Sequence, residues 1–349
     1  MSGARVRGAL EEDPMTQIDV VPARDALDEE VVVDLEEERR RRSAQVEADD
    51  RYEALLHRLS RQSVEKHFNP FVDIDWDDPD LAIVPTDPRW IPAASTTFGG
   101  QAWFEALDDD TKARMGLHRV ASAMKIGLEF ENVLKRGLLE YGLKLPNGSP
   151  EFRYVYHEVI EEAYHALMFQ EFVNRSGTDV RGMSARDRFA SRQVVTLARV
   201  FPPLFFLFVL GGEDPIDHAQ RQILREGEPH PLVERIMRIH VTEEARHLSF
   251  ARHYLKHTVP KLGRVRRTVL SVAAPLLLGE MAREMLMPPR QLVRRFSIPE
   301  EAVQGLVRSS EARESVVESL AKVRRLCVEL GLVNAMTKPL WRFAGIWAD

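Results

Sequence analysis

Chemistry enters this chain most densely at His240-Val-Thr-Glu-Glu-Ala-Arg-His247. At roughly 100° per residue, positions 240, 244 and 247 fall within about 60° of one another, so two imidazoles and a carboxylate share one helix face. The rest of that face is apolar, with Val233, Ile236 and Met237 before the phrase and Leu248 and Ala251 after it. A stripe of this kind enters a core. Burying His240, Glu244 and His247 without partners costs on the order of several kcal/mol, and a metal ion is the simplest partner for all three.

The phrase has a second copy. Glu161-Glu162-Ala163-Tyr164-His165 matches Glu243-Glu244-Ala245-Arg246-His247 in four of five positions, each time as Glu-x-x-His at helical spacing. A single such pattern would carry little weight in a chain with 11 histidines, but two identical ones are harder to dismiss.

Each copy follows a segment with a further carboxylate. Val120, Met124, Gly127, Glu131, Leu134 and Leu138 form a 3.6-residue stripe that carries Glu131 into the core. Glu129 falls beside Lys125, Asn132 and Arg136 and reads as the solvated acid. In the second half Glu213 follows the apolar run from Phe205 to Gly212. The spacing from Glu131 to Glu162 is 31 positions, and from Glu213 to Glu244 it is again 31. That equality is an internal repeat of helix, turn and helix.

Two helices that each give a Glu, and two that each give Glu-x-x-His, form the inward ligand set of ferritin-like bundles with two metal ions. Four carboxylates nearly neutralise two divalent cations, and an imidazole supplies nitrogen at each end. Hard anionic ligands of this sort favour ferric iron, so the diferrous form readily reduces O2.

The elements that position these residues are helices. Residues 1 to 45 combine acidic clusters with Arg39-Arg40-Arg41-Arg42 and few large apolar residues, and are expected to form a disordered charged tail. From 46 the chain reads as one helical domain to residue 349. An amphipathic helix is expected over 46–67 (Tyr52, Leu55, Leu56, Leu59), then an extended Pro- and Asp-rich loop from Asn69 to Pro92. A helix capped by Asp108 to Asp110 runs to about Tyr141, and the next runs from about Pro150 to Val173. A third segment, about Asp187 to Glu226, is expected to kink or break at Pro202-Pro203 and again at Gly211-Gly212 and Pro215. The fourth, about Pro231 to His257, carries the opening phrase. Helices with an aromatic cluster at Trp341, Phe343 and Trp347 follow. Strand-like alternation is missing, so the fold class is all-α.

Composition narrows the partners. A formal charge of −6 argues against a nucleic-acid binder. The single cysteine, Cys327, excludes a disulfide framework and fits a reducing, cytoplasmic setting. The first 30 residues are acidic and lack the apolar run of a signal peptide. Pro202 to Gly212 and Val269 to Gly279 are too short to span a bilayer and read as buried core helices.

The six-ligand pattern, the additional His240 one turn before Glu244, the 27-residue interval from Glu213 to His240 and the chain length resemble the p-aminobenzoate N-oxygenase family of di-iron proteins. The likeness covers most of the chain from about residue 50. It implies a ferritin-like four-helix core with additional N- and C-terminal helices, and iron ligation by Glu131, Glu162, His165, Glu213, His240, Glu244 and His247. It implies two iron ions, O2 as co-substrate and an external electron donor. The reaction implied is oxidation of the amine nitrogen of a small arylamine toward hydroxylamine or nitro products.

Other roles stay open at neighbouring positions. Glu161 and Glu243 could accept a hydrogen bond from a ligand histidine on another helix, or be surface acids paired with Arg246. Glu158, one turn before Glu162, falls near the ligand face and reads either as an outer group supporting the ligands or as a partner for Arg153. Tyr164 reads as ordinary packing. Phe201, Phe205, Phe206 and Phe208 read as core, with Gly211 and Gly212 leaving room for an apolar pocket near Glu213. His157, His218, His253 and His257 fit exposed or capping places. Competing functions are oxidation of carbon at the same centre, ferroxidase activity without an organic substrate, and a helical interaction protein. A homodimer is a common arrangement for bundles of this size.

Overall fold

Helix follows helix from Asp25 onward in the computed structural model, which describes residues 25–92, 98 and 101–347, and no strand occurs among the described residues. The first helix, α1, spans Asp25–Glu65. Residues 1–24 of the expected tail lie outside the described residues, whereas 25–45 are helical. Glu36 and Glu37 face Arg40 and Arg41 one turn on, the i,i+4 order that stabilises a solvated helix by a few tenths of a kcal/mol per pair. Charge runs that cannot build a core can still build a helix.

Residues 1–48 and 49–349 form two separate units. In the second, α1 buries Tyr52, Leu55, Leu56 and Leu59 along one face, each worth roughly 1.5–3 kcal/mol on full burial. The loop that follows is not simply extended: hydrogen-bonded turns at 69–73, 75–78 and 84–87 alternate with single 3-10 turns at Pro79–Leu81 and Pro88–Trp90, capped by the side chains of Asp78 and Asp87. It pins itself down with Trp76 and Trp90, whose indole N–H groups donate to the carbonyls of Pro70 and Val84.

After a single turn, α2 (Ala102–Glu105), the four long helices arrive in two hairpins. α3 (Asp109–Gly142) is capped by the Asp108 carboxylate on Thr111 N. α4 (Pro150–Ser176) begins on a proline at its first turn and ends on Gly177 in the left-handed conformation (φ 60°). α5 (Ala185–Val200) starts with a capping box between Ser184 and Asp187 and packs on α3. α6 (Pro202–Glu226) and α7 (Pro231–Thr258) form the second hairpin.

The break at Pro202 is as expected, but the second interruption is not a break. α6 runs unbroken through Pro215, which is buried inside it. The lost backbone hydrogen bond is outweighed by the packing of an apolar helix between α7 and α8.

Six further helices follow among the described residues: α8 (Arg264–Leu286), α9 (Arg290–Arg295), α10 (Glu300–Arg308), α11 (Ser310–Ser319), α12 (Ala321–Glu329) and the short α13 (Lys338–Phe343). α8 is buried on one face only. Leu270, Ala274, Leu278 and Ala282 face the core, whereas Val265, Val269, Val272 and Leu276 are exposed. A continuous apolar run on a 3.6-residue period has a back as well as a front, and only its front meets α6. In the C-terminal aromatic cluster Trp341 is buried with its ring edge toward Trp347, but Phe343 points to solvent. No helix among the described residues is long and apolar enough to cross a membrane.

Candidate metal centre

The four segments that carry Glu131, Glu162, Glu213 and Glu244 are α3, α4, α6 and α7, and all seven expected ligands are buried side chains. The helical stripe accounts for this at Glu131, which is 2% exposed, while Glu129 two residues back is turned away. Glu129 is half-buried rather than solvated, because its Oε2 accepts from Met183 N in the loop before α5.

Donor atoms converge. Glu131 with His165 and His240, Glu162 with His165 and Glu244, and Glu213 with His240 and Glu244 each bring one ligand atom per residue within 4.8 Å of the others. His240 Nε2 stands 3.5 Å from Glu131 Oε1 and 3.8 Å from Glu244 Oε1. His247 Nδ1 lies 3.0 Å from Glu244 Oε1 and 3.1 Å from Glu162 Oε1. On the other side His165 Nδ1 lies 3.2 Å from Glu162 and 3.4 Å from Glu244.

Several of these atoms are buried with no hydrogen-bond partner: Glu131 Oε2, both oxygens of Glu213, Glu244 Oε2 and His240 Nε2. Each such orphan costs on the order of 1–3 kcal/mol, and more when charged. Converging lone pairs that find no proton donor are what a cation accepts, so the residues present could hold metal.

The outer partners fix the imidazoles. His165 Nε2 donates to Glu243 at 2.9 Å and His247 Nε2 donates to Glu161 at 2.8 Å, which leaves both Nδ1 atoms facing the carboxylates. His240 is turned the other way, with Nδ1 on Gln220 Oε1 at 3.0 Å and Nε2 inward. In each case the outward nitrogen meets an oxygen acceptor, so with a cation bound the inward nitrogen would be the one to offer its lone pair. Both also pair with Arg246, at 2.8 and 3.4 Å, but neither is a surface acid, since both carboxylates are buried between the helices.

Without cations the carboxylates compete for charge. Burial and the neighbouring Glu162 push Glu131 well above the usual carboxylate range, and burial with Glu244 does the same to Glu213. Burial also raises Glu244. Burial would raise Glu162 too, but His247 and His165 hold it well below that range. Despite burial, Glu162 and Glu243 lift His165 to about 10, and Glu244 and Glu162 raise His247. His240 is instead driven well below its ordinary value by burial and by His165.

The remaining expectations sort as follows. The room expected beside Gly211 and Gly212 is filled. A methyl on Gly212 would stand 2.1 Å from Phe130 Cζ, and one on Gly211 would stand 2.6 Å from Leu278 Cδ2. Phe205 and Phe206 are fully buried core. His257 is paired with Asp49 and stacked on Tyr52, and His253 is exposed. Tyr164 is half-buried on the flank of α4. Gln220 and the backbone N–H of Phe68, which donates to Glu243 Oε1 at 3.1 Å, complete the site and were not marked by any spacing rule. Only Gln220, seven residues after Glu213 on the same face of α6, lies at a place a helical wheel could have suggested.

With this geometry in view, the model of the family described as P-aminobenzoate N-oxygenase AurF matches residues 49–331. The chain belongs to the AurF family. Its relatives include two mycobacterial proteins, uncharacterized protein Rv0885 of Mycobacterium tuberculosis (strain ATCC 25618 / H37Rv) and uncharacterized protein Mb0909 of Mycobacterium bovis (strain ATCC BAA-935 / AF2122/97). Each is 42% identical over 308 residues, which is 88% of this chain and 91% of the relative. No solved structure matches the chain significantly. The AurF match spans α3 to α7 whole, and so includes every residue of the buried Glu and His cluster.

Proposed function

We propose that the chain is a di-iron oxygenase that uses O2 to oxidise the amine nitrogen of a small arylamine toward hydroxylamine and nitro products. Glu131, Glu162, His165, Glu213, His240, Glu244 and His247 are the proposed iron ligands. The observation that carries this reading is the set of buried, unpartnered carboxylate and imidazole atoms converging between α3, α4, α6 and α7.

When bound, the iron pair supplies the two-electron chemistry of O2 activation. For the first oxygenation the balance is amine, O2, two electrons and two protons to hydroxylamine and water, with the electrons drawn from an external donor. The protein's own residues orient the donor set. Glu243 and Glu161 hold His165 and His247 by their Nε2 protons, Gln220 holds His240 by Nδ1, and Arg246 bridges the two outer carboxylates. Phe169 lies against His165 and His240, and with Phe130 and Phe208 it keeps the surroundings apolar and short of water.

The test has two stages. Iron analysis of reconstituted protein should give about two irons per chain, and near zero would end every oxygenase reading. Incubation of the reduced, iron-loaded protein with O2 and a panel of aminobenzoates, followed by mass spectrometry, should then reveal oxygen gained at nitrogen. Oxygen gained only at carbon would make it a hydroxylase, and iron oxidation with no organic product would make it a ferroxidase.

A further inference from the structure

The repeat that relates the two halves of the site extends one position beyond the proposed ligand set. Glu131, Glu162 and His165 recur 82 residues later as Glu213, Glu244 and His247, and the same step carries Glu158 onto His240. Each stands one turn before its Glu-x-x-His, so α4 and α7 place Glu158 and His240 at equivalent points of a pseudo-symmetric bundle.

The geometry respects that equivalence in one feature, the reach toward the histidine of the other half. His240 groups with Glu131 and His165 of the first half within 4.8 Å, and also with Glu213 and Glu244 of its own half. Glu158 groups with Glu162 and His247, and so reaches the histidine of the second half, within the same limit. Glu158 is 1% exposed, and its Oε2 is buried without a hydrogen-bond partner. The surface partner considered for it, Arg153, is an exposed residue. A carboxylate oxygen placed this deep with nothing to bond is in the same condition as the inward atoms of Glu131, Glu213 and Glu244.

We propose that Glu158 is an eighth metal-binding side chain, an oxygen donor to the ion nearest His247 that mirrors the nitrogen donor His240. This inference rests on the di-metal reading above. Its chemical consequence is an inequivalent pair, with a neutral imidazole added on one side and an anionic carboxylate on the other. The hard, charged oxygen favours the higher oxidation state at the His247 ion.

The test uses the full chain loaded with Mn(II) or with 57Fe. A crystal structure of the Mn(II)-loaded wild type should show a Glu158 oxygen about 2.2 Å from the ion bound by His247. In Glu158→Gln that ion should bind at least about tenfold more weakly, while the other retains its affinity. Of the two 57Fe Mössbauer doublets, one should shift and the other stay. Unchanged affinities and an unchanged spectrum in Glu158→Gln would overturn the proposal. So would a loaded wild-type structure with Glu158 outside coordination distance, and this arm needs no variant to fold. Two ions bound without Glu158 sink this inference alone, whereas wild-type protein that takes up no metal sinks the di-iron reading with it.

Discussion

Glu161 on α4 accepts a hydrogen bond from His247 on α7 at 2.8 Å, across the interface between the two helices. Glu243 on α7 returns the arrangement by accepting from His165 on α4 at 2.9 Å. Each Glu-x-x-His helix therefore positions the imidazole of the other, and Arg246 ties the two outer carboxylates together. Glu161→Ala or Glu243→Ala should weaken metal binding about 10- to 100-fold, the usual cost of losing such a partner. Metal titration of each variant checks it, and affinities equal to wild type would show the crossing to be incidental.

Metal uptake should expel protons. Glu131, Glu213 and Glu244 are raised above the carboxylate range, and His165 and His247 above the histidine range, so in the metal-free protein they hold protons at pH values where free side chains would not. A cation takes the place of those protons, so apparent affinity should rise with pH through the neutral range. Calorimetry in buffers of different ionisation heat reads the proton count directly, and a heat independent of buffer would contradict this. Chelation should lower the melting temperature, because the ion stabilises only the folded chain.

His240 sets its Nε2 3.5 Å from Glu131 and 3.8 Å from Glu244. His240→Ala should retain iron in part and lose oxygenation of the amine, since Gln220 and Glu131 then face an empty place. Product analysis and iron content together decide it. Full activity in the variant would make this a more general di-iron oxygenase.

Gly212 meets the ring of Phe130 with no space for a methyl group, one residue from Glu213. Gly212→Ala should cost about 1–3 kcal/mol by overpacking, with some loss of metal affinity as α6 shifts. Urea unfolding compared with wild type measures the first effect. A stability within about 0.5 kcal/mol of wild type would show that Phe130 yields freely.

Local rules were enough wherever one helix acts alone. The 3.6-residue stripe placed Glu131 inward and turned Glu129 away, and Asp108 and Pro150 marked helix starts. They failed where two elements decide together. Nothing within α8 says which side of its apolar run α6 will cover, and nothing near Pro215 says that packing will carry α6 through it. The charged segment from Asp25 to residue 45 erred the other way, since i,i+4 pairs support a helix without any core.

The sequence by itself determined the chemistry of this protein: two Glu-x-x-His phrases, two further acids at equal spacing and a third histidine, all fixed by residue type and helical period. Tertiary structure alone decided the crossed pairing of Glu161 with His247 and Glu243 with His165, the reach of Gln220 to His240, and the burial of Glu158 without a partner. The reason is physical. A helical period sets the direction of a side chain about its own axis, whereas a hydrogen bond between helices depends on their offset and rotation, which the packing of the whole bundle sets.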